Sequence, residues 1–350
     1  MSIHSRRLKI VAALSALALL AAACGGSDNP LAEDGGSDTA SVAGSITISG
    51  SSTVEPISGA NAQKFNAENP DVAITVDGPG TGDGFALFCE GKTDISDASR
   101  PIKLDEEAPI CEENGIEFIE LKVGIDGISV LTSPENDQVT CLSFNDLYAL
   151  LGPESEGFTN WSDADVIGKE LDAPGAPYPD VPLVITAPGE ESGTFDSFIE
   201  LVLEGIAVDE RGISEDGPFV RPDYQASPND NVIIEGIAGN PTSLGWVGYS
   251  FYEQNTEVVK AIEIDGGDGC VAPTTDTIAS AEYPISRYLY IYVNAAKAEE
   301  SQALQDFVDF YLSEVGVATV AEVGYVNLHE DDLTTSSQVW ADRETGSREG

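Results

Sequence analysis

A chain of 350 residues is too long for one ordinary hydrophobic core, and a content of 41% hydrophobic residues with 12 Phe, 11 Tyr and 3 Trp is that of a globular protein. The 16 Lys and Arg against 61 Asp and Glu leave a net charge of -45, a surface that repels DNA, RNA and anionic lipid and so excludes nucleic-acid binding. Most of these carboxylates read as an adaptation for solubility, and any bound anion has to be held by a local site against the field of the whole chain.

Arg6, Arg7 and Lys9 precede an apolar run over residues 10–23, too short for a comfortable membrane span. Cys24 follows Ala21-Ala22-Ala23 and precedes Gly25-Gly26-Ser27. This is similar to the bacterial lipobox, whose cysteine is lipidated and becomes the first mature residue, although Leu20 stands one place further from the cysteine than the lipobox leucine. Residues 1–23 are expected to be a signal peptide, and residues 24–44, rich in Gly, Ser, Asp and Ala, a lipidated flexible tether. Beyond Cys24 stand Cys89, Cys111, Cys141 and Cys270. An even set in an exported chain points to disulfides. Of the three pairings open to it, Cys89–Cys111 around one short segment and Cys141–Cys270 across the middle of the chain are favoured. The spacings do not match a zinc site.

The folded part starts with a β-prone run at 45–49 and the turn Gly50-Ser51-Ser52-Thr53. Glu55-Pro56 opens a helix to about residue 67, which Asn69-Pro70 stops. A strand is expected at 72–76. Thr81-Gly82-Asp83-Gly84 leads into a second helix, and a third strand at 94–98 ends at Ser99-Arg100-Pro101. A second region carries β-prone residues at 118–132, a helix at 144–151 and a strand at 181–186. The strand runs into Ser192-Gly193-Thr194 and a helix bearing Phe195, Phe198, Ile199 and Val202. Further elements are expected at 231–238 (helix), 243–249 (strand), 288–293 (strand) and 301–312 (helix). This alternation implies an α/β fold with ligands at the strand C-termini.

Four polar turns share one design, small hydroxyl or glycine residues between a strand end and a helix start: Ser51-Ser52-Thr53, Thr81-Gly82-Asp83-Gly84, Ser99-Arg100 and Ser192-Gly193-Thr194. Free N–H groups and hydroxyls at helix N-termini favour an oxyanion. Any one such turn is equally an ordinary N-cap, so the inference rests on the set.

The set also resembles a family. Gly50-Ser51-Ser52-Thr53-Val54, residues 94–103 (DISDASRPIK), residues 189–198 (GEESGTFDSF), residues 221–237 (RPDYQASPNDNVIIEGI) and Gly245-Trp246-Val247-Gly248-Tyr249 are similar to the phosphate-binding proteins of Pst-type ABC transporters, over roughly residues 44–330. The resemblance implies a two-domain periplasmic-binding-protein fold of type II with the ligand cleft between the domains. The expected division is domain I over 45–126 and 284–345, and domain II over 127–283. It also implies a monomeric, extracytoplasmic receptor that captures inorganic phosphate and hands it to a permease, with no cofactor and no catalysis. Another oxyanion (sulfate or molybdate) is the alternative ligand, and phosphate-ester hydrolysis a more distant alternative function.

Carried over motif by motif, Ser52, Thr53 and the backbone at Val54 would donate from the first loop and Thr81 from the second. Ser192, Gly193 and Thr194 would donate from the second domain. Many members carry an arginine four residues before the serine of the last motif, where this chain has Pro188, and an aspartate where it has Ser99. Arg100 is therefore expected to supply the guanidinium. Asp126, in Gly124-Ile125-Asp126-Gly127, is the expected acceptor for the proton of hydrogen phosphate, with Asp83 and Asp97 behind it. Enzyme readings fare worse: the histidines are His4, in the leader, and His329, far along the chain from Ser192.

Overall fold

The computed structural model describes residues 43–190, 192–214 and 217–348. The leader, Cys24 and nearly all of the tether lie outside the described residues. The chain opens with β1 (Gly44–Gly50), α1 (Glu55–Glu68), β2 (Val72–Asp77), α2 (Thr81–Cys89), β3 (Ile95–Ala98), α3 (Ala108–Glu113) and the long β4 (Phe118–Thr132). A middle section holds β5 (Cys141–Ser143), α4 (Phe144–Leu151), α5 (Asp165–Glu170), β6 (Val184–Ala187) and α6 (Gly193–Phe198), which runs on into a π-helical turn at Ile199–Leu203. It continues through β7 (Gln225–Ala226), α7 (Asp230–Ala238), β8 (Ser243–Gly248), α8 (Tyr249–Glu253), β9 (Lys260–Ala261), β10 (Glu263–Asp265), β11 (Cys270–Val271) and α9 (Thr275–Ala279). The chain then returns through β12 (Ser286–Asn294) to α10 (Ala295–Glu300), α11 (Gln302–Tyr311), α12 (Glu314–Glu322) and α13 (Glu330–Asp342).

Hydrogen bonding links the main sheet in the order β2-β1-β3-β12-β4-β8-β6-β7. β1 pairs parallel to β2 and β3, and β12 is antiparallel to both β3 and β4. β4 uses its first part, residues 118–127, against β12 and its next residues, 128–131, against β8. Side chains from the two ends of this strand enter different cores. One core takes Ile46, Ile48, Phe65, Leu121, Val123, Leu289, Ile291 and Phe307. The other takes Ile125, Ile128, Leu147, Trp161, Phe198, Trp246 and Tyr283. Each fully buried Leu, Ile or Phe contributes about 1.5–3 kcal/mol through removal of apolar surface from water. In the second core Phe198 stacks on Trp246, ring centroids 4.3 Å apart and 14° from parallel.

Most expected strands and helices are present, with ends moved by a few residues. The expected strand at 181–186 forms as β6, Val184–Ala187, because Pro182 cannot donate to a ladder. α12 and α13 were not expected. α13 is rich in Ser, Thr and Asp, a poor helix composition; it is held by Val339 and Trp340 in the first core and by Ser336 Oγ donating to Lys122 O at 2.9 Å.

Both disulfides are formed, Cys89–Cys111 with Cα atoms 4.2 Å apart and Cys141–Cys270 at 6.0 Å. The first ties α2 to α3, and the second closes a sequence separation of 129 residues. Cross-links act chiefly by restricting the unfolded chain. Replacing Cys141 and Cys270 together by Ser is therefore expected to cost up to about 5 kcal/mol in denaturant unfolding, and Cys89 with Cys111 up to about 3. The check is the change in urea midpoint of each double variant under oxidising conditions.

Candidate functional site

β1 ends at Gly50, whose φ is +155° and where a Cβ would lie 2.0 Å from Asp97 O. Facing it, a Cβ on Gly84 of α2 would lie 2.4 Å from Gly50 Cα. Only glycine allows this approach. It stacks the start of α2 against the ends of β1 and β3, bringing three of the four polar turns together. Gly80 N donates to Gly50 O (2.8 Å), Ser51 N to Asp97 O (2.9 Å) and Ser99 N to Thr81 Oγ1 (3.2 Å). Thr81 and Ser99 share a hydroxyl contact at 3.0 Å.

A cavity of about 380 Å³ lies over these turns, lined by Ser51, Ser52, Thr53, Thr81, Ser99 and Arg100 from this side. Asp196 and Glu200, from α6 and its π-turn, line the opposite side. The fourth turn borders an adjoining cavity of about 730 Å³, where Ser192 and Gly193 face Ser52, Glu55 and Asp196. Between the two spaces Ser52 Oγ donates to Asp196 Oδ2 (3.3 Å), and the Thr53 and Ser197 hydroxyls meet at 3.2 Å. Thr194 lines neither space; its N–H donates to the capping Ser192 Oγ at 3.2 Å. Val54 is fully buried and its N–H returns to Ser51 O at 3.1 Å.

Arg100 reaches the cavity, but its guanidinium is engaged. Nη1 and Nη2 donate to Glu107 Oε2 and Oε1 at 2.9 and 2.8 Å. Burial alone would raise the Glu107 carboxyl, and the Arg100 hydrogen bond, the Lys103 N–H and the two positive charges together outweigh it, leaving Glu107 below the usual range. The Pro188 carbonyl accepts from Tyr224 Oη at 2.7 Å.

A second guanidinium near the turns, absent from the sequence-based expectations, is that of Arg287. On β12 it stands directly opposite Asp126 of β4. Its side chain is 10% exposed and that of Asp126 4%. Arg287 Nη2 donates to Ser197 Oγ (2.8 Å) and to Thr53 Oγ1 (3.4 Å), and Nη1 to Glu200 Oε2 (2.6 Å). Its Nε lies 3.7 Å from Asp126 Oδ2, and neither of these buried atoms has a hydrogen-bond partner. Burial raises the Asp126 carboxyl, opposed by the Arg287 charge and the Ser197 hydroxyl. The result is a more basic, stronger acceptor. A sequence signal for Arg287 did exist. Leu289, Ile291 and Val293 alternate into the first core, and the same period of two carries Arg287 to their face. A cation at a core-facing position requires a partner.

The two reserve carboxylates are elsewhere. Asp83 is exposed on α2. Asp97 is fully buried beneath the first turn, with Oδ1 accepting from Ser58 Oγ at 2.8 Å. His329 caps α13 with an exposed ring beside Asp331.

Residues 35–315 match the family described as the PBP superfamily domain. Protein SphX of Synechocystis sp. is 40% identical over 289 residues, covering 82% of this chain and 79% of its own. Phosphate-binding protein PstS of Staphylococcus saprophyticus is 32% identical over 319 residues, covering 90% and 88%. The crystal structure of a possible phosphate binding protein from Planctomyces limnophilus superposes with a TM-score of 0.76 at 34% identity, over 87% of this chain and 100% of that one.

Asp97 yields a direct prediction. Burial raises its carboxyl to about 7, partly offset by the Ser58 hydrogen bond, with Glu55 and Asp77 adding repulsion. An acid raised on folding binds its proton more tightly in the folded chain. Its penalty is therefore absent below the unfolded value of about 4, grows as pH rises, and is complete above about 7. Asp97→Asn is expected to stabilise the protein at pH 8, by about 4 kcal/mol at most, and to change little at pH 4. Urea unfolding at the two pH values checks the sign.

Proposed function

We infer the function from kinship and geometry together: the chain belongs to the PstS family of phosphate-binding proteins, within the periplasmic-binding-protein superfamily, and we propose that it is an extracytoplasmic receptor that captures inorganic phosphate for an ABC permease. The observation that carries the site assignment is the buried Arg287–Asp126 pair, set beside the Ser52, Thr53, Thr81 and Ser99 donors where the two cores meet.

In this reading residues 45–126 with 284–345 form one lobe, and residues 127–283 the other, hinged where β4 and β12 pass between the cores. Phosphate enters from the side of the 380 Å³ cavity and is gripped by hydroxyls of the first lobe and by Ser192, Gly193 and Ser197 of the second, Thr194 being spent on the Ser192 cap. The Arg287 guanidinium supplies the positive charge, a role for which Arg100 is less suited because both its Nη atoms are held by the less exposed Glu107, whereas Arg287 meets the more exposed Glu200 through Nη1 alone. Asp126 accepts the proton of hydrogen phosphate, which sulfate lacks at neutral pH; this favours phosphate over the other oxyanions. The receptor works as a monomer, without a cofactor and without chemistry on its ligand. Cys24 carries the lipid that holds it to the membrane, residues 25–44 being the leash. Among the described residues no helix is long and apolar enough to cross a membrane.

Two experiments test this. Isothermal titration of the mature protein should show phosphate and arsenate binding well above sulfate. Arg287→Ala should weaken phosphate by at least about thirtyfold, because truncating one side of a buried charged contact costs about 2–5 kcal/mol. Thr53→Val should cost about fivefold, as for a neutral hydrogen bond, and Arg100→Ala less than Arg287→Ala. Asp126→Asn should weaken phosphate and narrow the gap to sulfate; unaltered affinities for both ions would remove Asp126 from the site. Separately, Cys24→Ala should shift the protein out of the membrane fraction or block its maturation, and unchanged retention would refute the anchor.

A further inference from the structure

We propose that Glu200 is a built-in rival of the ligand: its carboxylate competes with phosphate for the Arg287 guanidinium and thereby sets how tightly the cleft holds the anion. The inference rests on the assignment of the cleft given above. Arg287 spends Nη2 on Ser197 and Thr53 and turns Nε toward Asp126, while Nη1 donates to Glu200 at 2.6 Å. Thr53, Ser197 and Asp126 are buried. The Glu200 side chain is 42% exposed and lines the cavity that holds Thr81 and Ser99. A half-exposed carboxylate loses little when it returns to water, so Glu200 is the partner that an arriving anion can replace.

Charge counting points the same way. Arg287 faces two carboxylates, Asp126 and Glu200, so the trio carries one surplus negative charge. Turning Glu200 outward leaves Arg287 balanced by Asp126 and withdraws the like charge nearest the incoming oxygens. Four residues before Glu200, on the same helical run, Asp196 accepts from Ser52. Two carboxylates of the second lobe thus engage a hydroxyl and a guanidinium of the first, in the way that oxygens of a bound oxyanion would.

The test is calorimetric titration of inorganic phosphate into the full mature protein and its Glu200→Gln variant, with Glu210→Gln, an exposed carboxylate further along the same helical segment, as the control for net charge. Glu200→Gln should tighten phosphate by about threefold to tenfold, in the range of a like-charge contact removed near a site, while Glu210→Gln stays within about twofold of wild type. In an Arg287→Lys background the gain should shrink, since the competition is for the guanidinium, and the double-mutant cycle reads that coupling. Unchanged or weaker binding by Glu200→Gln, or an equal gain from Glu210→Gln, overturns the proposal. If instead Thr53→Val and Arg287→Ala both retain wild-type affinity, the cleft assignment itself fails, an outcome distinct from a Glu200 variant that behaves as wild type while those two do not.

Discussion

The antiparallel pairing of β4 with β12 is the constraint on which the rest of the structure depends. It places Arg287 opposite Asp126, continues the sheet from one core into the other, and carries both strands across the seam. Its register breaks between Leu289 and Tyr290, with Val123 of β4 left as the extra residue. A bulge of this kind re-aims the side chains beyond it. A slip by one residue would send Arg287 to the face where Tyr288 and Tyr290 now stand, and Leu289 out of its core. Register is therefore specified by apolar burial, and the charged pair is positioned by the same forces. Because both residues sit on hydrogen-bonded strands, their backbone positions are set by the sheet, while Thr53, Ser197 and Glu200 orient the guanidinium.

Holding an anion in a chain of net charge -45 is a local electrostatic problem. The cavity walls include Asp196 and Glu200, and Glu55 and Glu190 line the adjoining space. Positive charge is scarce, and each guanidinium near the site is already paired, Arg100 with Glu107 and Arg287 with Asp126 and Glu200. Most of the donors are neutral hydroxyls and N–H groups fixed by caps and strand ends. Such donors give direction without the desolvation cost of a buried cation. In the proposed reading, selectivity comes from geometry and from Asp126 as proton acceptor, not from bulk attraction.

Much of the architecture was legible in the chain. The alternation of strands with helices and the turns at the ends of β1 and β3 followed from local patterns of glycine, hydroxyl and β-branched residues, and the pairing of the cysteines from their even number and positions. Arg287 escaped because the expected strand began at residue 288, which left the arginine in a loop and its core-facing period unread. Its partners come from β4, from the first turn and from α6, segments far apart in sequence that only strand pairing brings together. Glu200 escaped for a related reason. On an exposed helix face it reads as one more solubilising carboxylate, and only the fold shows what it faces. α12 and α13 lacked a strong apolar period and owe their helicity to tertiary packing, which overrides propensity.

The stack of Phe198 on Trp246 adjoins the site in sequence as well as in space, since Phe198 follows Ser197, which bonds Arg287. The indole is fully buried, and its Nε1 is without a hydrogen-bond partner. Its excited state is thus governed by the rings of Phe198 and Tyr224 that pack on it and not by solvent. A shift of α6 by a fraction of an ångström would alter that overlap and with it the emission of the indole. The same packing that fills the second core would give the proposed cleft an intrinsic optical readout, one that needs no attached dye.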